Sequence, residues 1–306
     1  MNLCFQNLAH FIKASTPTNQ YKEILYKNSL LLPLSTYFLE FFSDEDIINI
    51  NILKQKNKLK ELIRRNYIKK IYFLFKTNNI DFIIFKGSIL GQMLYDDPFE
   101  RAVGDIDIYV SPEKRQAAIK ILLANDFSFC HVNGESNLHH IQFMNNNIKL
   151  ELHKNIFTPY AGINENYILT HRNIVTFNDL PYQTFNHTAS LLHLIYHEYM
   201  DYSILPIPIH FNCLSSRPYP PKYLNRYLDI ALYCEKYHDL INWSDIINDL
   251  KLQHFNDYIK KIIFDIYNIF GTNIFPEQLI KVITSYKCIC TPINERFPNY
   301  YLHPIW

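Results

Sequence analysis

Six residues, Asp105-Ile106-Asp107-Ile108-Tyr109-Val110, limit what this chain can become more than any other stretch. Polar and apolar side chains alternate along them, which is the two-residue period of a β-strand. Asp105 and Asp107 therefore project from one face, and Ile106 and Ile108 from the other. Such a strand calls for a sheet with an apolar core on one side and a polar face on the other. Two carboxylates held side by side also repel each other unless a cation sits between them.

The neighbouring segments supply the rest of that sheet. From Tyr21 to Asn79 the pattern is mostly helical, with Ser43 placed to cap a helix whose first turn holds Asp44, Glu45 and Asp46. Ile63, Tyr67, Ile71 and Leu74 recur at three- and four-residue spacing, which carries this helix to about Thr77. The period then changes. Asp81 to Lys86 is a β-branched and aromatic run ending at Gly87, a short buried strand. Ser88 to Tyr95 is a short helix, ended by Asp96-Asp97-Pro98. Ser111-Pro112-Glu113 opens a helix to about Asn125, with Ser111 as cap and Pro112 at its first position. Phe127 to Val132 is a third strand. Ile141 to Met144 and Ile148 to His153 flank Asn145-Asn146-Asn147 as a hairpin.

After Thr158 the chain reads as helical again, over Thr188 to Met200, Tyr223 to Tyr237, Ser244 to Leu252 and Tyr258 to Phe270. A Pro-rich loop, Pro206 to Pro221, separates the first two. The expected class is α+β, a small mixed sheet with helices, in three parts: an N-terminal helical region (1–79), a core (80–157) and a C-terminal helical domain (158–306).

Composition narrows the possible partners. The 306 residues are 48% hydrophobic and 19% charged, enough apolar side chain to bury a core. A formal net charge of +1 supplies no global field for nucleic acid or membrane, so no stable nucleic-acid binding is implied by net charge. No apolar run approaches the roughly 20 residues that cross a bilayer, and residues 1–13 lack a signal-peptide pattern. No membrane partner and a cytoplasmic location are expected by elimination. The six cysteines are scattered without a paired metal-binding spacing and are expected to be buried or free thiols. Abundant Ile, Asn, Lys and Tyr with six glycines suggest an AT-rich, bacterial source.

Chemistry gathers around the two aspartates. Asp-x-Asp is common on solvated edge strands, so its meaning rests on its neighbours. Gly87-Ser88 stands where a strand turns into a helix, a place that offers free amides and a hydroxyl to phosphate, or simply a capped turn. Glu151 lies between Leu150 and Leu152 and so faces away from the core, together with Lys149 and His153. A third carboxylate there completes a metal site or accepts a proton. Lys86 and Arg101 are placed to neutralise phosphate. Magnesium, which takes oxygen ligands and keeps waters and substrate phosphates, suits such acids.

The run Phe85-Lys86-Gly87-Ser88-Ile89-Leu90, with Tyr95, Arg101 and Gly104-Asp105-Ile106-Asp107-Ile108, resembles the uncharacterised bacterial nucleotidyltransferase family of the polymerase-β superfamily. Leu150-Glu151-Leu152-His153 is similar to that family's Glu-x-His strand. Leu192-His193-Leu194 with His197, Tyr227 to Leu232, and Ile241-Asn242-Trp243 resemble its C-terminal helical signatures. The likeness spans residues 60–255. Two departures stand out: sixteen residues separate Ser88 from Asp105, and Asn242 replaces the family's usual Asp before Trp243. The resemblance implies a polymerase-β-like sheet and two Mg2+ ions (or Mn2+) on Asp105, Asp107 and Glu151. It also implies nucleotide binding by Lys86, Gly87, Ser88 and Arg101. The implied reaction moves a nucleoside monophosphate from ATP or another nucleoside triphosphate to an acceptor hydroxyl on a small molecule, a peptide or protein, or RNA.

Two alternatives accompany this expectation. One is a catalytically silent binding protein on the same fold, against which the intact acids argue. The other is a toxin-like enzyme acting on RNA, for which Lys54 to Lys70, with eight Lys or Arg, would supply a basic groove. His193 and His197, four apart on one helical face, suit packing or, with His153, a substrate pocket. No Glu follows His193, so the zinc-protease motif is absent.

Overall fold

The computed structural model describes residues 3–102, 104–130, 140–157, 163–203, 224–252, 257–271 and 274–285. Val132 at the expected strand end, the Pro-rich loop 206–221, and Cys213, Cys288 and Cys290 lie outside them. Cys4, Cys130 and Cys234 are not joined in disulfides. The chain divides into two compact units, one of Met1–Leu53 with Leu191–Trp306 and one of Lys54–Ser190.

The first unit opens with α1 (Leu3–Ser15), α2 (Tyr21–Lys27) and α3 (Leu31–Leu34). Helix α4 (Asp44–Thr77) begins there and continues through the second unit. Its start is a reciprocal cap: Ser43 Oγ accepts from the Asp46 amide at 3.3 Å, and Asp46 Oδ2 accepts from the Ser43 amide at 3.1 Å.

The second unit continues with β1 (Phe82–Phe85), α5 (Gly87–Leu94), β2 (Ile106–Val110), α6 (Pro112–Leu123) and β3 (Ser128–Phe129). β4 (His140–Asn145), β5 (Ile148–His153), α7 (Asn166–Thr170), β6 (Arg172–Phe177) and β7 (Leu180–Phe185) complete it, and α8 (His187–Ser203) leads out. Ser111 stands at the cap position of α6, but its side chain makes no capping bond there; Pro112 does the entry work with its preset φ. The seven strands form one mixed sheet in the order β3-β4-β5-β2-β1-β7-β6. β2 runs parallel to β5 and β1 parallel to β7, while the remaining neighbours are antiparallel.

Burial explains the alternation. Ile106, Ile108, Leu150, Leu152, Phe143 and Ile84 all lie in one apolar cluster with Ile68, Ile71 and Phe75 of α4 and Ala118 and Leu122 of α6. Each buried Ile, Leu or Phe contributes about 1.5–3 kcal/mol, and a one-residue slip of β2 would turn Ile106 and Ile108 out of this cluster. The register is thereby fixed, and with it the opposite, polar face.

The helical expectation after Thr158 is corrected in one place. β6 and β7 form a hairpin whose turn, Asn178-Asp179, has φ of +48° and +61°. Asn and Asp tolerate this left-handed backbone, and a two-residue turn of this kind matches strand twist.

Helices α9 (Leu224–Tyr237), α10 (Trp243–Leu252), α11 (Asp257–Phe270) and α12 (Glu277–Ser285) return to the first unit. Asn242, the departure from Asp, still caps α10 by accepting from the Asp245 amide at 3.3 Å. Leu8 and Ile12 of α1 are fully buried, and Asn7 Nδ2 donates to the Phe270 carbonyl at the end of α11, at 2.7 Å. Among the described residues no helix is long and apolar enough to cross a membrane.

Candidate functional site

The site begins where β1 ends. Lys86 has φ +55° and ψ −142°, a backbone that a non-glycine residue holds only at a cost of about 1–3 kcal/mol. Gly87 is the first residue of α5, so the unusual conformation of this turn belongs to Lys86 instead. The Lys86 ammonium donates to Asp107 Oδ1 at 2.9 Å. Ser88, buried in the first turn of α5, ties that turn to β2: its Oγ accepts from the Asp107 amide at 3.1 Å. Its carbonyl accepts from both terminal nitrogens of Arg64 on α4, each at 3.3 Å, and Arg64 is itself held by Glu61. Ser88 thus links α4, α5 and β2.

Register brings the acids together. Asp107 lies opposite Phe85 on β1 and Glu151 on β5, and Glu151 lies opposite Gln142 on β4. One pair further along, His153 lies opposite both Tyr109 and His140. Asp105 precedes β2 by one residue and keeps 35% of its side chain exposed. Lys149 Nζ bridges the outer acids, 2.8 Å from Glu151 Oε1 and 3.4 Å from Asp105 Oδ2. Gln142 Nε2 donates to Glu151 Oε1 at 2.9 Å, and His153 Nε2 stands 3.0 Å from Asp107 Oδ1. The Phe85 and His153 rings pack in a T-shaped pair, with centroids 4.9 Å apart.

The three carboxylates are not equivalent. Burial, and then the charges of Asp107 and Glu151, push the Asp105 carboxyl up to about 6. Burial also works against the charge of Asp107, but Lys86 and His153 outweigh it and hold this carboxyl well below the usual range. Glu151 is lowered too: burial and Asp107 oppose its charge, and Lys86, Lys149 and His140 prevail. Burial drives His140 down to about 4 and lowers His153, where Lys86 adds to it, so both imidazoles are neutral near pH 7.

The remaining sequence candidates have other settings. Arg101 follows a single turn, Pro98–Glu100, and its stem passes over Gly91 of α5, where a Cβ would stand 3.8 Å from Arg101 Cβ and 3.1 Å from the Pro98 carbonyl oxygen. The glycine is what lets this loop lie so close. His193, buried, and His197 sit on α8 with ring centroids 5.8 Å apart. The sequence reading did not single out His140, Gln142 and Lys149. Lys149 shares Glu151's alternation and was within reach; His140 and Gln142 needed the β4–β5 register.

These residues fit a divalent cation. Asp105, Asp107 and Glu151 form an all-oxygen set on one face, the kind of donor Mg2+ takes. Two ammonium groups, those of Lys86 and Lys149, already lean on them in the place of counter-ions. Beside them, His140, Glu151 and His153, all buried, bring one ligand atom each within 4.8 Å of one another, a spacing that can hold a metal ion.

Among solved structures, the chain is similar to the antibiotic-resistance factor ANT(2'')-Ia in solution, at 13% identity over 65% of this chain and 99% of that one, with a TM-score of 0.38. It is also similar to an antigenic nucleotidyltransferase-like protein from Paracoccidioides brasiliensis, at 17% identity over 57% of this chain and 75% of that one, with a TM-score of 0.36. Comparison with curated proteins finds no match. The sequence pattern of a family described as uncharacterised nucleotidyltransferases matches residues 51–264, more than half of the chain, and the protein belongs to that family.

Proposed function

We propose that the protein transfers a nucleoside monophosphate from a nucleoside triphosphate to an acceptor hydroxyl and releases pyrophosphate. The observation that carries this reading is the register of β2 with β5, which sets Asp107 against Glu151 with Asp105 two residues away on the same face. Asp105, Asp107 and Glu151 would hold two Mg2+ ions, with Mn2+ as the substitute. Bound there, the ions supply charge neutralisation and activation of the attacking oxygen.

The chain's own groups do the positioning. Lys86 and Arg101 balance triphosphate charge, and the first turn of α5, Gly87 and Ser88, offers amides to it. The acceptor oxygen forms its bond to the α-phosphorus as the bond from that phosphorus to the pyrophosphate bridge oxygen breaks. Glu151 is the group proposed to accept the hydroxyl proton. For acceptor recognition, His193 and His197 are proposed on their sequence spacing alone; His153, fully buried, is held at the acids instead.

No observation favours the alternatives. Of the eight cations of α4 that an RNA groove would draw on, four are paired with acids: Lys54 with Asp97 and Glu100 at 2.9 and 3.0 Å, Arg64 and Arg65 with Glu61, and Lys70 at 3.9 Å from Asp126. Calorimetric titration of each triphosphate in Mg2+ tests the binding half of the proposal. Saturable binding that requires the metal and is lost in Asp105→Asn is expected. A wild-type chain that binds neither metal nor triphosphate would overturn it.

A further inference from the structure

We infer that His140, Glu151 and His153 form a binding site for a transition-metal ion of the Zn2+ class, beside the Mg2+ carboxylates and sharing Glu151 with them. The three side chains are 5%, 6% and 0% exposed, so burial protects the site on every side chain it uses. His140 Nε2 stands 3.5 Å from Glu151 Oε1, and His153 Nε2 stands 3.7 Å from Glu151 Oε2. Those separations are too long for good hydrogen bonds. They are close to what a shared cation imposes, since two ligands each about 2.1 Å from one ion in tetrahedral array lie about 3.4 Å apart.

The surroundings prepare the imidazoles. His153 Nδ1 lies 3.3 Å from the Asn155 carbonyl. A ring proton on Nδ1 is directed at that oxygen and leaves the Nε2 lone pair facing Glu151 and Asp107. A backbone carbonyl on the far nitrogen is the usual way a metal-ligating histidine is held in one tautomer. In the metal-free arrangement the alternative tautomer donates Nε2–H to Asp107 Oδ1 at 3.0 Å. Gln142 Nε2, 3.0 Å from His140 Nε2 and 2.9 Å from Glu151 Oε1, spans the same gap. Half a turn of its amide presents oxygen, a further ligand, to the same point. Lys149, the competing cation on Glu151, is one-third exposed, so water can solvate its ammonium once an ion displaces it.

Ligand chemistry selects the ion. Imidazole nitrogen favours Zn2+ and its neighbours, whereas Mg2+ prefers all-oxygen sites. The two sites therefore differ in ion while sharing one carboxylate, and an ion on the histidines draws Glu151 away from the Mg2+ set. The site does not rest on the transferase reading, because its binding is measured without nucleotide.

The test uses untagged, chelator-treated protein titrated with Zn2+ against a chromophoric chelator. Wild type should bind one Zn2+ tightly, and His140→Ala and His140→Gln should weaken it about 100-fold or more. Co2+ substitution should give ligand-field bands without a thiolate charge-transfer band, which separates this site from the cysteines. Absence of binding, unchanged affinity in the folded variants, or a thiolate band would overturn the proposal. Should both variants fail to fold, anomalous scattering at the zinc edge from wild-type crystals decides: a peak among the three residues supports it, and a peak elsewhere or none refutes it.

Discussion

At Lys86 a strained backbone and a buried ion pair meet in one residue. Adding a β-carbon at φ +55° is unfavourable, so Lys86→Gly should be more stable than Lys86→Ala by about 1 kcal/mol, the reverse of the order in an ordinary helix. Urea unfolding of the two variants checks this, and equal stabilities would remove the strain argument. The pair itself is buried, with Asp107 at 5% and Lys86 at 15% side-chain exposure. Asp107→Ala leaves that ammonium uncompensated and should cost about 3–5 kcal/mol, part of which Lys86→Met recovers in the double variant. Asp105 carries the pH dependence. Its carboxyl titrates near 6 in the folded chain, above its ordinary value, so the protonated form is the one folding favours, and metal-free stability falls as pH rises through about 6. A divalent cation needs the ionised form. Mn2+ affinity should therefore be flat above pH 6 and drop by about tenfold per unit below it, as titration across pH 4.5–7.5 would show; a flat profile throughout contradicts it. The pairing of Asp105 with Asp107, and the outward turn of Glu151, were legible in the sequence because a two-residue period needs no tertiary knowledge. His140 was not, since its place beside Glu151 depends on which residue of β4 faces which residue of β5.

Elements were legible where their period or their turn chemistry was strong. β1, α5, β2, α6 and the β4–β5 hairpin follow the expected order, because each switches cleanly between a helical and a strand pattern. The hairpin turns on Asn146 and Asn147, with φ of +46° and +66°. Asn147→Gly should stabilise the unit by a few tenths to about 1 kcal/mol, and Asn147→Val should destabilise it by more than that, measured by thermal unfolding. An Asn147→Val variant as stable as wild type would mean that the turn does not set the register. The β6–β7 hairpin escaped notice for a physical reason. Arg172 to Phe177 is mostly exposed and lacks the buried alternate residues that announce a strand. Its one local signal is Asn178-Asp179, a pair suited to the same left-handed turn.

Over the whole chain, two compact units and a net charge of +1 leave recognition to local chemistry rather than to a long-range field. In the basic run on α4, Lys54, Arg64 and Arg65 are taken up by Asp97, Glu100 and Glu61, which leaves fewer cations for an RNA groove than the sequence counts. Sequence alone shows charges; only the fold shows which are already paired. What organises the second unit is a sheet with one face sealed by α4 and α6 and the other lined by acids, lysines and histidines. The function proposed for this polar face is nucleotide transfer through Asp105, Asp107 and Glu151. Its most direct measurement is pyrophosphate release and label transfer from each nucleoside triphosphate, with Mg2+ and panels of small-molecule, peptide and RNA acceptors. Wild type should transfer the label, and Asp105→Asn, Asp107→Asn and Glu151→Gln, each still folded, should lose at least about 100-fold. Transfer undiminished in those three variants would contradict it.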